Sequence, residues 1–127
     1  MSANTPQETL DAFLEKFNAN DVEGVLAYYE SNAAFVEEPG KIVQGTDALH
    51  ESMSKFFAMK PTLTLTKTET ILAGDIGTNY SKWTMTGTGP DGAPVSMEGV
   101  AVDIIRCQSD GSWKMVIDNP WGPAILD

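Results

Sequence analysis

The chain has 127 residues, 42% of them hydrophobic, which suits one ordinary domain, 1–127, and is too apolar for disorder. Its 18 acidic and 8 basic residues leave a formal net charge of −10, which excludes the basic footprint that nucleic acid requires and disfavours an anionic membrane surface. Single copies of cysteine (Cys107) and histidine (His50) exclude an internal disulfide, a thiolate metal cluster and a multi-histidine metal site within one chain. The opening, Met1 to Glu8, is polar and does not read as a signal peptide. No apolar run approaches the roughly 20 residues of a membrane helix. A reduced, cytoplasmic setting is the expectation.

Thr5-Pro6-Gln7-Glu8 reads as a helix start: Thr5 caps, Pro6 takes the first helical position and Glu8 completes a capping box. Leu10, Phe13, Leu14 and Phe17 then fall on one helical face. Asp21 caps a second helix with Val22, Val25, Leu26 and Tyr29 inward. Ala33 to Glu37 reads as a short strand stopped by Pro39-Gly40. Gly45-Thr46 opens a third helix that buries Leu49, Met53, Phe56 and Phe57 and ends at Pro61. Beyond it the pattern has period two, giving strands over Thr62–Leu72, Gly77–Thr88, Val95–Gln108 and Trp113–Asp118 separated by short turns. The order α-α-β-α-β-β-β-β predicts an α+β fold with helices on one face of an antiparallel sheet.

The strand Val95–Gln108 carries Met97, Gly99, Ala101, Asp103, Ile105 and Cys107 on one face, and Glu98, Val100, Val102, Ile104 and Arg106 on the other. Both faces are apolar in the middle, whereas a sheet with one wet face alternates cleanly. The helices account for one face. A homodimer through Val100, Val102 and Ile104 is expected for the other, the alternative being a curled sheet covered by its own termini.

No P-loop, G-x-G-x-x-G, H-E-x-x-H or G-x-S-x-G occurs. His50 follows the core residue Leu49 and reads as an exposed helix residue. Asp103 is the sharpest candidate. Its strand face is otherwise apolar, so desolvation should raise its pKa and let it donate a proton near neutrality. The competing reading is a carboxylate paired with Lys82 or with backbone N–H groups. Glu37 and Glu38 end the first strand on opposite faces, so at most one points into a cavity. Tyr80, Trp83, Trp113 and Trp121 are either core or pocket wall.

Phe17-Asn18-Ala19-Asn20-Asp21, Leu26-Ala27-Tyr28-Tyr29 and Ala33-Ala34-Phe35-Val36-Glu37-Glu38-Pro39 resemble the opening of ketosteroid isomerases and SnoaL-like polyketide cyclases, of the nuclear transport factor 2-like superfamily. Gly45-Thr46-Asp47-Ala48-Leu49 resembles their third-helix start, and Gly111-Ser112-Trp113-Lys114 their last hairpin. The resemblance runs from about Leu10 to Gly122. It implies a cystatin-like cone, a curved antiparallel sheet wrapped by helices, usually as a dimer. It also implies that Glu38, before Pro39, is the proton-shuttling base and that Asp103, in Asp103-Ile104-Ile105-Arg106, is a neutral oxyanion donor. A carboxylic acid kept neutral in that enzyme is a standard case of pKa tuning. The family's first-helix tyrosine is replaced by Phe13 and a third-helix tyrosine by Met53, which removes one donor worth ~10²–10³ in rate. The resulting expectation is an acid–base isomerase or cyclase acting on a small apolar ketone-type molecule. Phe13, Met53, Phe57, Trp83, Trp113 and Trp121 are its candidate substrate contacts, and no metal or organic cofactor is implied. The alternative is a non-catalytic ligand-binding or dimerisation module.

Overall fold

A computed structural model describes residues 5–127, so the opening Met1–Asn4 lies outside the described residues. Helix α1 spans Pro6–Asn18, with Thr5 Oγ1 accepting from Glu8 N at 3.1 Å and Pro6 in the first turn. Its buried residues Thr9, Phe13 and Phe17 recur every four positions, which lays them along one side of the helix. Helix α2, Val22–Leu26, is capped by Asp21, whose Oδ1 accepts from Gly24 N at 2.9 Å. Strand β1 runs Tyr29–Glu38 and β2 Lys41–Gln44. Helix α3, Thr46–Phe57, follows. Strands β3 (Thr62–Ala73), β4 (Ile76–Thr88), β5 (Pro94–Cys107) and β6 (Trp113–Asp118) complete the sheet, and a 3₁₀ turn over Gly122–Leu126 closes the chain. No helix among the described residues is long and apolar enough to cross a membrane.

The six strands lie in the order β2-β1-β6-β5-β4-β3. The fold class is α+β, as expected, but the sheet is mixed rather than wholly antiparallel. The meander β3–β6 is antiparallel, and β6 then lies parallel to β1, pairing Ala34 with Ile117 and Phe35 with Asp118. Period-two patterning locates strands and does not name the partner of a strand some eighty residues away, so this pairing was invisible in the sequence. Strand β2 was also missed. Four residues are too few to show alternation, and Ile42 is largely exposed. Tyr29 belongs to β1 and not to the second helix.

The helices bury their apolar sides on the inner sheet face. Phe13, Phe17, Leu49, Met53 and Phe57 pack with Tyr29, Ala33, Ile105, Trp113 and Met115. Phe17 and Phe57 meet edge to face, with centroids 4.8 Å apart. Each such ring contributes roughly 1.5–3 kcal/mol through burial. A second cluster, Trp83, Met85 and Ala101, lies nearer the C-terminal tail.

On β5, Ala101, Asp103 and Ile105 are buried while Val100 is 42% exposed, so the two faces divide as the alternation requires. Tyr80, Ile71, Ile76 and Ile117 share the outer face with Val100 through the strand registers and are likewise exposed. The tail covers part of the β5 edge: Val102 N donates to Asn119 O at 2.9 Å.

Candidate functional site

A cavity of about 370 Å³ lies between α1, α3 and the inner face of the sheet. Its wall is mainly apolar, from Phe13, Phe35, Met53, Phe56, Trp83 and Trp121 among others. Four of the chain's 6 methionines, Met53, Met85, Met97 and Met115, line it, giving soft walls that adapt to shape. The polar groups form two sets: Ser81, Asp103 and Asp118 from the central strands, and Glu37, Lys41, Ser52 and Lys55 from the β1–β2 hairpin and α3.

Asp103 is 6% exposed. Its Oδ1 accepts from Asn119 N at 2.9 Å. Asp118, also buried, accepts from the Tyr29 hydroxyl through Oδ2 at 2.5 Å. Burial pushes the Asp103 carboxyl well above the usual range, and the neighbouring Asp118 charge pushes the same way. The Asn119 N–H offsets this only in part. Burial also raises Asp118, against hydrogen bonds from Tyr29 and Asp103 that favour its charged form. The Tyr29 phenol is raised by burial first and then by Asp118. Two adjacent buried carboxyls cannot both ionise cheaply. The arrangement that satisfies every group has Asp103 protonated and donating to Asp118, with Tyr29 donating to the same carboxylate.

Glu37 behaves oppositely. Its Oε2 pairs with Lys41 Nζ at 2.6 Å and its Oε1 accepts from Ser52 Oγ at 2.7 Å. These bonds, the Lys41 one foremost, lower its pKa and keep it ionised. The cavity therefore borders a carboxyl whose charged form burial disfavours and a carboxylate held charged.

Of the residues singled out from sequence, Asp103, Phe13, Met53, Trp83 and Trp121 line this cavity, whereas Glu38, Phe57 and Trp113 do not. Glu38 is exposed, because alternation at the end of β1 turns its neighbour Glu37 inward and a register shift between Val36 and Glu38 ends the regular pairing. Phe57 is taken up by Phe17 in the core. Trp113 lines a smaller cavity that Asp103 also borders. Lys82 is exposed and opposite the outward-facing Val100, so it is no partner for Asp103. His50 is exposed and meets Glu23 at 2.9 Å.

Asp118 and Tyr29 were missed. Alternation along Trp113–Asp118 would place Ile117 inward and Asp118 outward. A register shift between Ile104 and Ile105 reverses this, leaving Ile117 39% exposed and Asp118 9%. The tail then folds over the cavity. Trp83 Nε1 donates to Pro120 O at 2.7 Å, and Trp121 Nε1 reaches Val36 O and Glu37 O at 3.2 and 3.3 Å.

The sequence profile of the SnoaL-like domain matches residues 10–116, most of the chain, from within α1 to within β6 and short of Asp118 and the tail. The chain belongs to the SnoaL-like domain family. No curated protein matches it. Among solved structures, this SnoaL-like chain is similar to a nuclear transport factor 2-like superfamily protein from Salmonella enterica, at 16% identity and TM-score 0.79 over 88% of this chain and 84% of that one. It is similar to an NTF2-like family protein from Streptomyces avermitilis, proposed to be a dehydratase, at 19% identity and TM-score 0.75 over 87% and 89%. SalBIII, an epoxide hydrolase/cyclase-like enzyme in pyran ring formation of the polyether salinomycin, shares 20% identity and TM-score 0.74 over 93% and 91%. At these identities the likeness establishes the fold of the SnoaL-like domain and no activity.

Proposed function

We propose that this SnoaL-like protein is an acid–base isomerase or cyclase acting on a small apolar molecule with a ketone-type oxygen. The observation that carries the reading is the buried Asp103–Asp118 pair bordering a mainly apolar cavity. Neutral Asp103 turns its proton from Asp118 toward the substrate oxygen as negative charge develops there, and Tyr29 continues to stabilise Asp118. Glu37, in place of the exposed Glu38, is the base that takes the proton from the carbon beside the carbonyl and returns it elsewhere. A pair of carboxyls with pKa values driven apart is what such a division of roles requires. Its bonds to Lys41 and Ser52 hold Glu37 in position and make it a weak base.

One observation favours a non-catalytic ligand-binding module. Asp103 accepts from Asn119 N and lies against Asp118, which can take its proton, so its hydrogen bonds can be met without a ligand. Deuterium exchange at carbons next to the carbonyl of small apolar ketones, followed by NMR, separates the two. The enzyme reading predicts exchange that falls ~10²–10³-fold in Asp103→Asn. In Glu37→Gln it falls ~10²–10⁴-fold. Binding seen by tryptophan fluorescence without exchange, unchanged in both variants, would establish the module. The outer face of Val100, Val102 and Ile104 is proposed to receive a second copy of the chain in either case.

A further inference from the structure

Next to the main cavity, and sharing Leu10, Phe13, Asp103 and Met115 with its wall, lies a second cavity of about 20 Å³. Its wall includes Thr9 of α1, Asn79 of β4, Asp103 and Ile105 of β5, and Trp113 and Lys114 of β6. Asp103 thus borders both spaces. Thr9 is 8% exposed, and its Oγ1 is the one buried side-chain polar atom with no hydrogen-bond partner among the described residues. An unsatisfied buried hydroxyl costs on the order of 1–3 kcal/mol. Asn79 is only partly used. Its Oδ1 accepts from Thr70 Oγ1 at 2.9 Å and its Nδ2 donates to Ser81 Oγ at 3.2 Å, which leaves one N–H and one lone pair free.

We infer that this small cavity is a binding site for a single ordered water, held by Thr9 Oγ1, Asn79 and the Asp103 carboxyl, and that Thr9 acts through it as a positioning residue for Asp103. A water requires roughly 10–15 Å³ and two to four polar partners, and the site offers both. The arrangement explains a threonine on a helix side otherwise given to Phe13 and Phe17. The water fixes the orientation of Asp103 from the smaller of the two spaces that it borders. The inference rests on the reading of Asp103 as the site acid, yet its test needs no substrate.

The titratable groups facing Asp103 or this cavity are Asp118 and Lys114 of β6 and Tyr29 of β1. Strand β4 and α1 present the uncharged Asn79 and Thr9. A crystal structure at a resolution that shows waters is the test, with Thr9→Val and Thr9→Ser beside the wild type. The expected result is one water within 3.2 Å of Thr9 Oγ1 and an Asp103 oxygen. It persists in Thr9→Ser and is lost in Thr9→Val. In Thr9→Val the Asp103 midpoint, read by NMR titration, rises by about one unit, since a donor to its charged form is gone. A dry cavity with the Thr9 hydroxyl turned to the Thr5 carbonyl overturns the inference. So does a water that survives Thr9→Val, or an Asp103 midpoint that Thr9→Val leaves unmoved.

Discussion

Asp103 and Glu37 are two carboxyls a few strands apart, and their surroundings drive them in opposite directions. Asp103 is raised by burial and by Asp118, so the folded state holds its proton above the ~3.9 of an unfolded aspartate. The stability it contributes is complete below that value and is lost as pH rises through the folded midpoint. Asp103→Asn should therefore gain on the wild type in melting temperature as pH increases from about 4 toward 8, measured by calorimetry at matched ionic strength. Glu37 is lowered by Lys41 and Ser52, so its contribution is present above the ~4.3 of a free glutamate and is lost as pH falls. Glu37→Gln should lose stability at pH 7 and little at pH 3. Asp103 was legible in the sequence because a lone acid among Met97, Ala101 and Ile105 has no solvent-side explanation. Glu37 and Glu38 were legible only as a pair, since alternation separates them without saying which faces in. Asp118 was hidden by a register shift that leaves no mark in residue type.

The elements were legible where local rules decide them. The capped start of α1, the start of α3 and the turns of the β3–β6 meander follow from caps, glycines and periodicity, whereas α3 ends at Phe57, short of Pro61. The β1–β6 pairing and the course of the tail depend on contacts remote in sequence. The tail is the element most specific to the site, because Asn119 contacts Asp103 and Trp121 bridges to β1. It turns at Gly122, whose φ is +52° and where a Cβ would strike the Val100 carbonyl oxygen. Gly122→Ala should destabilise the protein by at least about 1 kcal/mol, the cost of a left-handed alanine, in chemical denaturation. It should also loosen Trp121 and weaken ligand binding. Unchanged stability would mean that the tail is free to move away from β5.

At the level of the whole molecule, the outer sheet face remains apolar and open at Tyr80, Val100, Ile71, Ile76 and Ile117. That is more than a scatter of single exposed side chains, and a symmetric pair of sheets would cover it. Analytical ultracentrifugation should find a dimer for the wild type. Val100→Asp should give a folded monomer with unchanged circular dichroism, since Val100 is 42% exposed in the chain alone. A wild-type monomer at high micromolar concentration would remove the proposed interface. The dimer was suggested by the two apolar faces of β5, and it is the whole-molecule property that patterning addresses most directly.

The reading of the site turns on the protonation of Asp103. Carbon-detected NMR titration of the aspartate carboxyls, assigned with Asp103→Asn and Asp118→Asn, measures it directly. The account predicts that Asp103 titrates well above ~3.9 and that its midpoint falls in Asp118→Asn, where the neighbouring charge is gone. An Asp103 that stays ionised to low pH would contradict it, and would make the pair a structural feature of the fold and not a proton donor.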